Sequence, residues 1–381
     1  MKKIFLSVLA VAALASCTKM DTAYEAPQEI GFKAVAGNMT KAAVDGENFP
    51  ITLDMYVFAE TTDNNGATAN YINNGKFIYK GDYNTYVNPN PAAASNPNVW
   101  GGFTPYYWPN VKKLHFSGYS ESGNVATDAT VSYNCTSNSL SISNYSPGIL
   151  TGAGKNDLMW FPCTSLTNAD GYGKETDYVS VNMYHTCSWI TFLVQGDNVT
   201  GASNSTYKVT GITINNIDQQ ANVVCSATAS NGTITPNIVW TENTTQTTNN
   251  YQVPLKSDTG VSLKTEAQNV ENITETNPGN IVLIPQSLAF SKSTAGGITT
   301  YTGPYLTVTY TYESPASTTG NPIVIEEVVS GLSLKVSDTE TSNKWEPGKH
   351  YTYTLTIKAN EILIAPKPKD WNEGSHTVTV E

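Results

Sequence analysis

Cys17 is the residue whose type and setting most directly specify a chemistry. It closes the tetrapeptide Leu14-Ala15-Ser16-Cys17, which resembles a bacterial lipobox: small side chains let a signal peptidase reach the backbone, and the thiol accepts a lipid. Lys2 and Lys3, followed by the apolar run Ile4 to Ala15, supply the charged and apolar regions of a signal peptide. A membrane span needs about 20 apolar residues, so this run is too short to stay as an anchor. Acyl chains on Cys17 would hold the protein instead, each buried CH2 contributing about 0.8 kcal/mol.

The other reactive side chains form no catalytic pattern. His115, His185, His350 and His376 lie in or beside strand-like segments, and none has the spacing of a metal site or a nucleophile-base motif. His185, on an alternating strand, reads as a packed or hydrogen-bonded residue. Asp170-Gly171-Tyr172-Gly173 lacks the downstream ligands of a calcium loop and is not a phosphate-cradling glycine loop. Glu326 and Glu327 are adjacent, and neighbours in a strand point to opposite faces, so they do not form an acid-base pair on one substrate. With Cys17 set aside, Cys135, Cys163, Cys187 and Cys225 remain, without the CxxC spacing of zinc ligands. An oxidising compartment permits disulfides among them, and three complete pairings are open. The sequence calls for no enzyme, metal or cofactor.

Composition narrows the partners. The 381-residue precursor carries a formal charge of -11, with 14% charged residues against about 25% in an average soluble protein. Thr, Asn, Ser, Gly and Tyr take their place, as in extracellular β-proteins. All 21 basic residues are lysines. Nucleic acid is excluded as a partner, because phosphate binding needs clustered basic residues. At about 150 residues per domain, the exported chain makes roughly two domains.

The elements that must position these residues are strands. Period-two alternation recurs from end to end, while helical periodicity is nearly absent. Leu53, Met55 and Val57 alternate with Asp54 and Tyr56, Leu306, Val308, Tyr310 and Tyr312 with threonines, and Tyr351, Tyr353, Leu355 and Ile357 likewise. Asp63-Asn64-Asn65-Gly66, Asn73-Asn74-Gly75, Ser230-Asn231-Gly232 and Ala295-Gly296-Gly297 read as strand-breaking turns. The fold class is all-β, and strands at this spacing favour sandwiches. The polar stretch Thr167 to Asp177 marks a domain boundary near residue 177.

Five motifs, taken in order, resemble the fimbrillin family, the major subunits of type V pili of certain Gram-negative anaerobes. They are Tyr106-Tyr107-Trp108-Pro109 followed by Leu114, Phe116 and Tyr119; Asp157-Leu158-Met159; Val179, Val181, Met183 and His185 followed by Ser188, Ile190 and Phe192; Ile284-Pro285-Gln286; and Trp345 with Pro347-Gly348-Lys349 ahead of Tyr351. The resemblance implies two transthyretin-like β-sandwich domains and a route of assembly. In that route a surface protease cuts the lipoprotein after a basic residue, the first strand leaves, and a strand from another subunit fills the groove.

The matching segment is Met39-Thr40-Lys41-Ala42-Ala43. The family's usual cleavage residue is arginine and this chain has none, so Lys41 and Ala42 become the expected scissile pair. Ahead of them Ile30, Phe32, Ala34 and Ala36 alternate with Glu29, Gly31, Lys33 and Val35, so the detachable piece reads as a strand. The expected organisation is a signal peptide over 1–16, a lipidated propeptide with its removable strand over 17–41, an N-terminal sandwich over 42–177 and a C-terminal sandwich over 178–381. Candidate donor strands are Glu361 to Ala365 and His376 to Val380, separated by Pro366, Pro368 and a turn at Asn372-Glu373-Gly374. The partners implied are other fimbrial subunits in a homopolymer with accessory anchor and tip subunits, the outer membrane through the lipid, and the processing protease. An anchor or tip role stays open within this reading. Outside it stands a surface lipoprotein whose Trp and Tyr residues bind glycan for an outer-membrane transporter, although aromatics at strand spacing more often form core.

Overall fold

The structure, a computed structural model, describes residues 29–37, 49, 53–63, 65–82, 98–109, 113–121, 129–134, 137–147, 157–167, 178–196, 206–230, 233–242, 249–270, 281–313, 323–336, 343–358 and 362–370. Among them every regular element is a strand, as the alternation predicts. The first nine are β1 (Gly31–Gly37), β2 (Asp54–Thr62), β3 (Thr68–Asp82), β4 (Asn98–Gly102), β5 (Lys113–Glu121), β6 (Thr130–Asn134), β7 (Ser139–Tyr145), β8 (Met159–Thr167) and β9 (Val179–His185). Seven of these close on themselves in the order β1-β4-β3-β2-β5-β8-β9, back to β1. Every pairing in the circuit is antiparallel except that of β1 with β9, which is parallel.

Alternation decides which face each strand buries. Met55, Val57 and Ala59 of β2, Leu114 and Phe116 of β5, and Val179, Val181 and Met183 of β9 face the interior of the circuit. The opposite faces of the same strands are also buried, through Phe58, Tyr119, Trp160 and Tyr184. What covers them is a four-stranded sheet in the order β13-β12-β7-β6, which adds β12 (Ala221–Ser230) and β13 (Thr233–Glu242) to the hairpin β6-β7. Strands from either side of residue 177 therefore share one sheet and one core. The connection at 168–177 joins β8 to β9, which pair with each other.

The remaining strands are β10 (Ser188–Gly196), β11 (Thr206–Ile217), β14 (Asn249–Gln252), β15 (Val261–Ser262), β16 (Gln268–Asn269), β17 (Ile281–Leu283), β18 (Ser291–Ala295), β19 (Ile298–Thr302), β20 (Tyr305–Glu313), β21 (Val324–Ser333), β22 (Lys349–Ile357) and β23 (Ile362–Asp370). One sheet runs β16-β10-β22-β23, with β17 beside β10, and a second runs β14-β11-β20-β21, with β15 beside β11. Ile190, Phe192, Tyr353 and Leu355 of the first meet Val209, Ile212, Leu306 and Val308 of the second in one core. β18 and β19 make a separate hairpin that turns at Gly296 and Gly297, both at positive φ, the backbone a two-residue hairpin turn requires.

Two local expectations need correction. Asn73-Asn74-Gly75 does not end a strand: it lies inside β3, where Asn74 has φ 52° and the register against β2 shifts. Asparagine tolerates the left-handed conformation, and a β-bulge uses one such residue to bend a strand without breaking its ladder. Likewise, Pro366 and Pro368 do not end the strand begun at Ile362. β23 continues through both to Asp370 beside β22, as an edge strand can, because proline is tolerated where the missing N–H would face outward.

Candidate functional site

β1 occupies the position on which the closure of the first body depends. It lies between β4, with Gly31 opposite Gly101 and Phe32 opposite Trp100, and β9, with Phe32 to Gly37 alongside Val179 to Tyr184. Ile30 and Phe32 are fully buried and Ala34 nearly so. The Phe32 ring is edge-on to Phe77 at 4.9 Å and to Phe116 at 5.4 Å, and lies 6.0 Å from Phe161. Three strands of the circuit thus supply the socket for one side chain of β1. The pairing of Gly31 with Gly101 leaves little room, because a Cβ on Gly31 would lie 3.2 Å from Val99.

The backbone around β1 is bonded beyond its two ladders. Ile30 donates its N–H to the Tyr106 carbonyl at 2.7 Å, Glu29 bridges to Tyr107, and Phe49 donates its N–H to the Ala34 carbonyl at 3.4 Å. Phe49 itself is fully buried against Trp100, ring centres 5.1 Å apart. On the outer side the Lys33 ammonium lies over the Tyr178 ring at 5.7 Å. The side chains packed around Phe32 are aromatic and aliphatic, so apolar complementarity holds this part of the strand.

Cys17, Lys41 and Ala42 lie outside the described residues, as do Cys135, His376 and the second candidate donor segment His376 to Val380. The first candidate donor is described from Ile362 onward, and that part is engaged: Ile362 and Ile364 of β23 pack on the second core, and the strand pairs with β22 over its whole length. Sequence reasoning picked out Ile30, Phe32 and Ala34, but not the partners that enclose them. Phe77 and Phe161 look like any other strand aromatics, and the parallel pairing with β9 spans well over a hundred residues of chain.

The titratable residues are structural in their surroundings. His185 Nδ1 meets Asp157 Oδ2 at 2.7 Å in a largely buried pair, and His350 stacks on Trp189 at 3.7 Å while meeting Thr191 Oγ1 at 2.9 Å. His115 meets Thr62 Oγ1 at 2.8 Å, with burial first and the Lys113 charge second holding its pKa below the ordinary value. Cys163, Cys187 and Cys225 are free thiols. Burial pushes the thiols of Cys187 and Cys225 far above the usual range, which makes them poor nucleophiles. Glu326 and Glu327 diverge as strand neighbours do, Glu327 accepting a hydrogen bond from the Tyr310 hydroxyl at 2.9 Å. Among the described residues no cluster of His, Cys, Asp and Glu has the makings of a metal site.

A family model described as Fimbrillin-like matches residues 40–371. No curated protein matches the chain. Among solved structures the chain is similar to a fimbrial protein from Bacteroides vulgatus, at 16% identity and a TM-score of 0.50, over 90% of this chain and 99% of that one. It is also similar to a proposed cell adhesion protein from Bacteroides uniformis, at 17% identity and a TM-score of 0.41 over 90% and 98% of the two chains. A third, from Bacteroides ovatus, has 12% identity and a TM-score of 0.44 over 92% and 100%. The first likeness shows the fold, and the other two are too distant to add to it.

Proposed function

The chain belongs to the fimbrillin-like family, and from that premise we propose that it is a structural subunit of a cell-surface fimbrium, assembled by strand exchange once its first strand is cut away. The observation that carries this reading is the place of β1. It is the one strand joined to the rest by the segment containing Lys41, and it seals the circuit between β4 and β9.

Its removal is consequential on energetic grounds. Burial of side chains such as Ile30 and Phe32 contributes roughly 1.5 to 3 kcal/mol each, and each strand hydrogen bond adds about 1 kcal/mol. Several of each approach the 5 to 15 kcal/mol that hold a whole domain. A subunit without β1 would present the Phe77, Phe116 and Phe161 socket and two unpaired strand edges, the setting for β-augmentation. A filling strand needs a small residue against Gly101, a large apolar one in the socket and a small apolar one two places on. The C-terminal strands of a neighbouring copy are the proposed donors.

Export as a lipoprotein on Cys17, residence at the outer membrane before cutting, processing between Lys41 and Ala42, and the transthyretin-like description of the two bodies belong to the same proposal. So does a division of the exported chain near residue 177. The role is structural, with adhesion exerted through the filament rather than through catalysis. Five of the seven tryptophans, Trp100, Trp108, Trp160, Trp189 and Trp345, are buried, so these five offer no surface to a glycan.

The test is the N-terminal sequence, by mass spectrometry, of protein sheared from the cell surface and of protein left in the membrane. A surface form beginning at Ala42, in ladders that resist mild detergent, is the expected result. A protein found only in the membrane with lipidated Cys17 as its N-terminus would sink the shaft-subunit reading and leave the anchor.

A further inference from the structure

Sheet edges attract strands unless something blunts them, and the edges of this protein are not treated alike. β13 carries Pro236, and β23 carries Pro366 and Pro368. β6, β14 and β16 have five residues or fewer. β21 is different. It runs ten residues from Val324 to Ser333 without a proline, and among the described residues it pairs with β20 alone. Its first half is open and mixes apolar residues with two glutamates, Val324, Ile325 and Val328 being 56%, 48% and 60% exposed.

We propose that β21 is a docking edge for an extended segment of another protein, one that carries a lysine or arginine flanked two residues away on each side by a β-branched apolar residue. The register decides the chemistry. Val324, Glu326 and Val328 share one face by strand alternation, and Glu327 on the other face is already engaged by the Tyr310 hydroxyl. Glu326 therefore sits between two exposed valines with its carboxylate outward. An incoming strand sets a side chain directly opposite each, and an opposite charge there is favourable whereas a like charge is not.

That same carboxylate selects against a second copy. Antiparallel self-pairing centred on Glu326 would set two glutamates face to face, and the register shifted by one residue toward Glu327 brings Glu326 against Glu327 twice, in a molecule already at -11. Charge thus opposes a second copy in the registers that pair glutamates while leaving the edge open to a basic segment, which is specificity by repulsion as well as attraction. This edge belongs to a different sheet from the β1 circuit, so occupation of one does not require the other.

The experiment titrates the full chain with the labelled peptide Thr-Val-Thr-Lys-Thr-Val-Thr, followed by fluorescence anisotropy, with analytical ultracentrifugation of the protein alone. Saturable binding is expected, weakened about tenfold or more by Glu326→Lys and likewise by Val328→Lys. Both positions are exposed, so both variants should fold, which circular dichroism checks. A peptide with glutamate in place of lysine should show the reverse preference, binding E326K better than the original chain. No saturation by about 1 mM, or binding indifferent to Glu326→Lys, would overturn the proposal. A dimer that Val328→Lys dissolves would also overturn it, by assigning the edge to a second copy.

Discussion

The Phe32 ring stands edge-on to the Phe77 ring at 4.9 Å, with an interplanar angle of 90°. One side chain of the first strand is thereby locked into the wall formed by the third, and Phe116 and Phe161 close the socket around it. Phe32→Ala should lower the stability of the uncut protein by about 3 to 5 kcal/mol, the range for emptying a buried phenylalanine site. Lys33→Ala, on the outer face of the same strand, should change it by about 0.5 kcal/mol or less. Urea denaturation of the two variants measures the contrast, and equal effects would mean that β1 is not held by its inward side chains.

Much of this was legible in the residues. Alternation placed β2, β9, β20 and β22, and it named Ile30, Phe32 and Ala34 as the inward face of β1, because period two is a local property. Which strands lie beside β1 was not legible, since a parallel pairing with β9 leaves no mark in either sequence. The double burial of β2, β5, β8 and β9 follows from the four-stranded sheet on their outer faces. Phe58, Tyr119, Trp160 and Tyr184 hint at it, apolar residues at positions where an exposed face would carry polar ones. Pro366 and Pro368 misled for a different reason, because proline ends a central strand but not an edge strand.

Processing at Lys41 makes a sharp prediction because the chain contains no arginine. Lys41→Gln should leave the lipidated precursor as the sole form in cells that otherwise process it, read as the N-terminal peptide in the mass spectrum. An arginine-specific protease should ignore the native chain and cut Lys41→Arg. Cleavage of K41Q at the same bond would show that the protease does not read Lys41, and processing at another bond would place the scissile site elsewhere in the propeptide.

His115 gives the fold a weak acid sensitivity. Its pKa in the folded protein lies below the ordinary 6.5, burial being the main cause, so between the two values the unfolded chain holds a proton that the folded one does not. Stability from this group is present above about pH 6.5 and is lost as pH falls through the folded value. His115→Gln should therefore flatten the decline in urea midpoint between pH 7 and pH 5. A decline as steep as that of the native chain would assign the sensitivity to other groups.

Gly118 sits where β5 passes between β2 and β8. A Cβ there would lie 2.4 Å from the Tyr56 carbonyl oxygen and 2.6 Å from the Phe161 ring, and the first of these is backbone that cannot swing aside. Gly118→Ala should cost about 1 to 3 kcal/mol by overpacking, seen as a lowered melting temperature. Gly296→Ala, at a hairpin tip with nothing within 4 Å, meets no such wall and is strained only by its φ of 59°, so its loss should be smaller.

The second body has its own anchor in the Trp345 indole, which donates to the Tyr353 hydroxyl at 2.9 Å with both side chains essentially buried. Trp345→Phe removes that donor and leaves the phenol oxygen in an apolar core, at a cost of about 1 to 3 kcal/mol. Tyr353→Phe leaves the indole N–H without its acceptor, a penalty of the same order. The double variant loses both partners together, so its penalty should fall short of the sum. These substitutions also separate the two bodies. Once β1 has been cut away, the penalty of Phe32→Ala has no strand left to act through, whereas that of Trp345→Phe should persist in full. Persistence of both in the cut protein would show that β1 stays in its groove after cleavage and that strand exchange needs a further step to expel it.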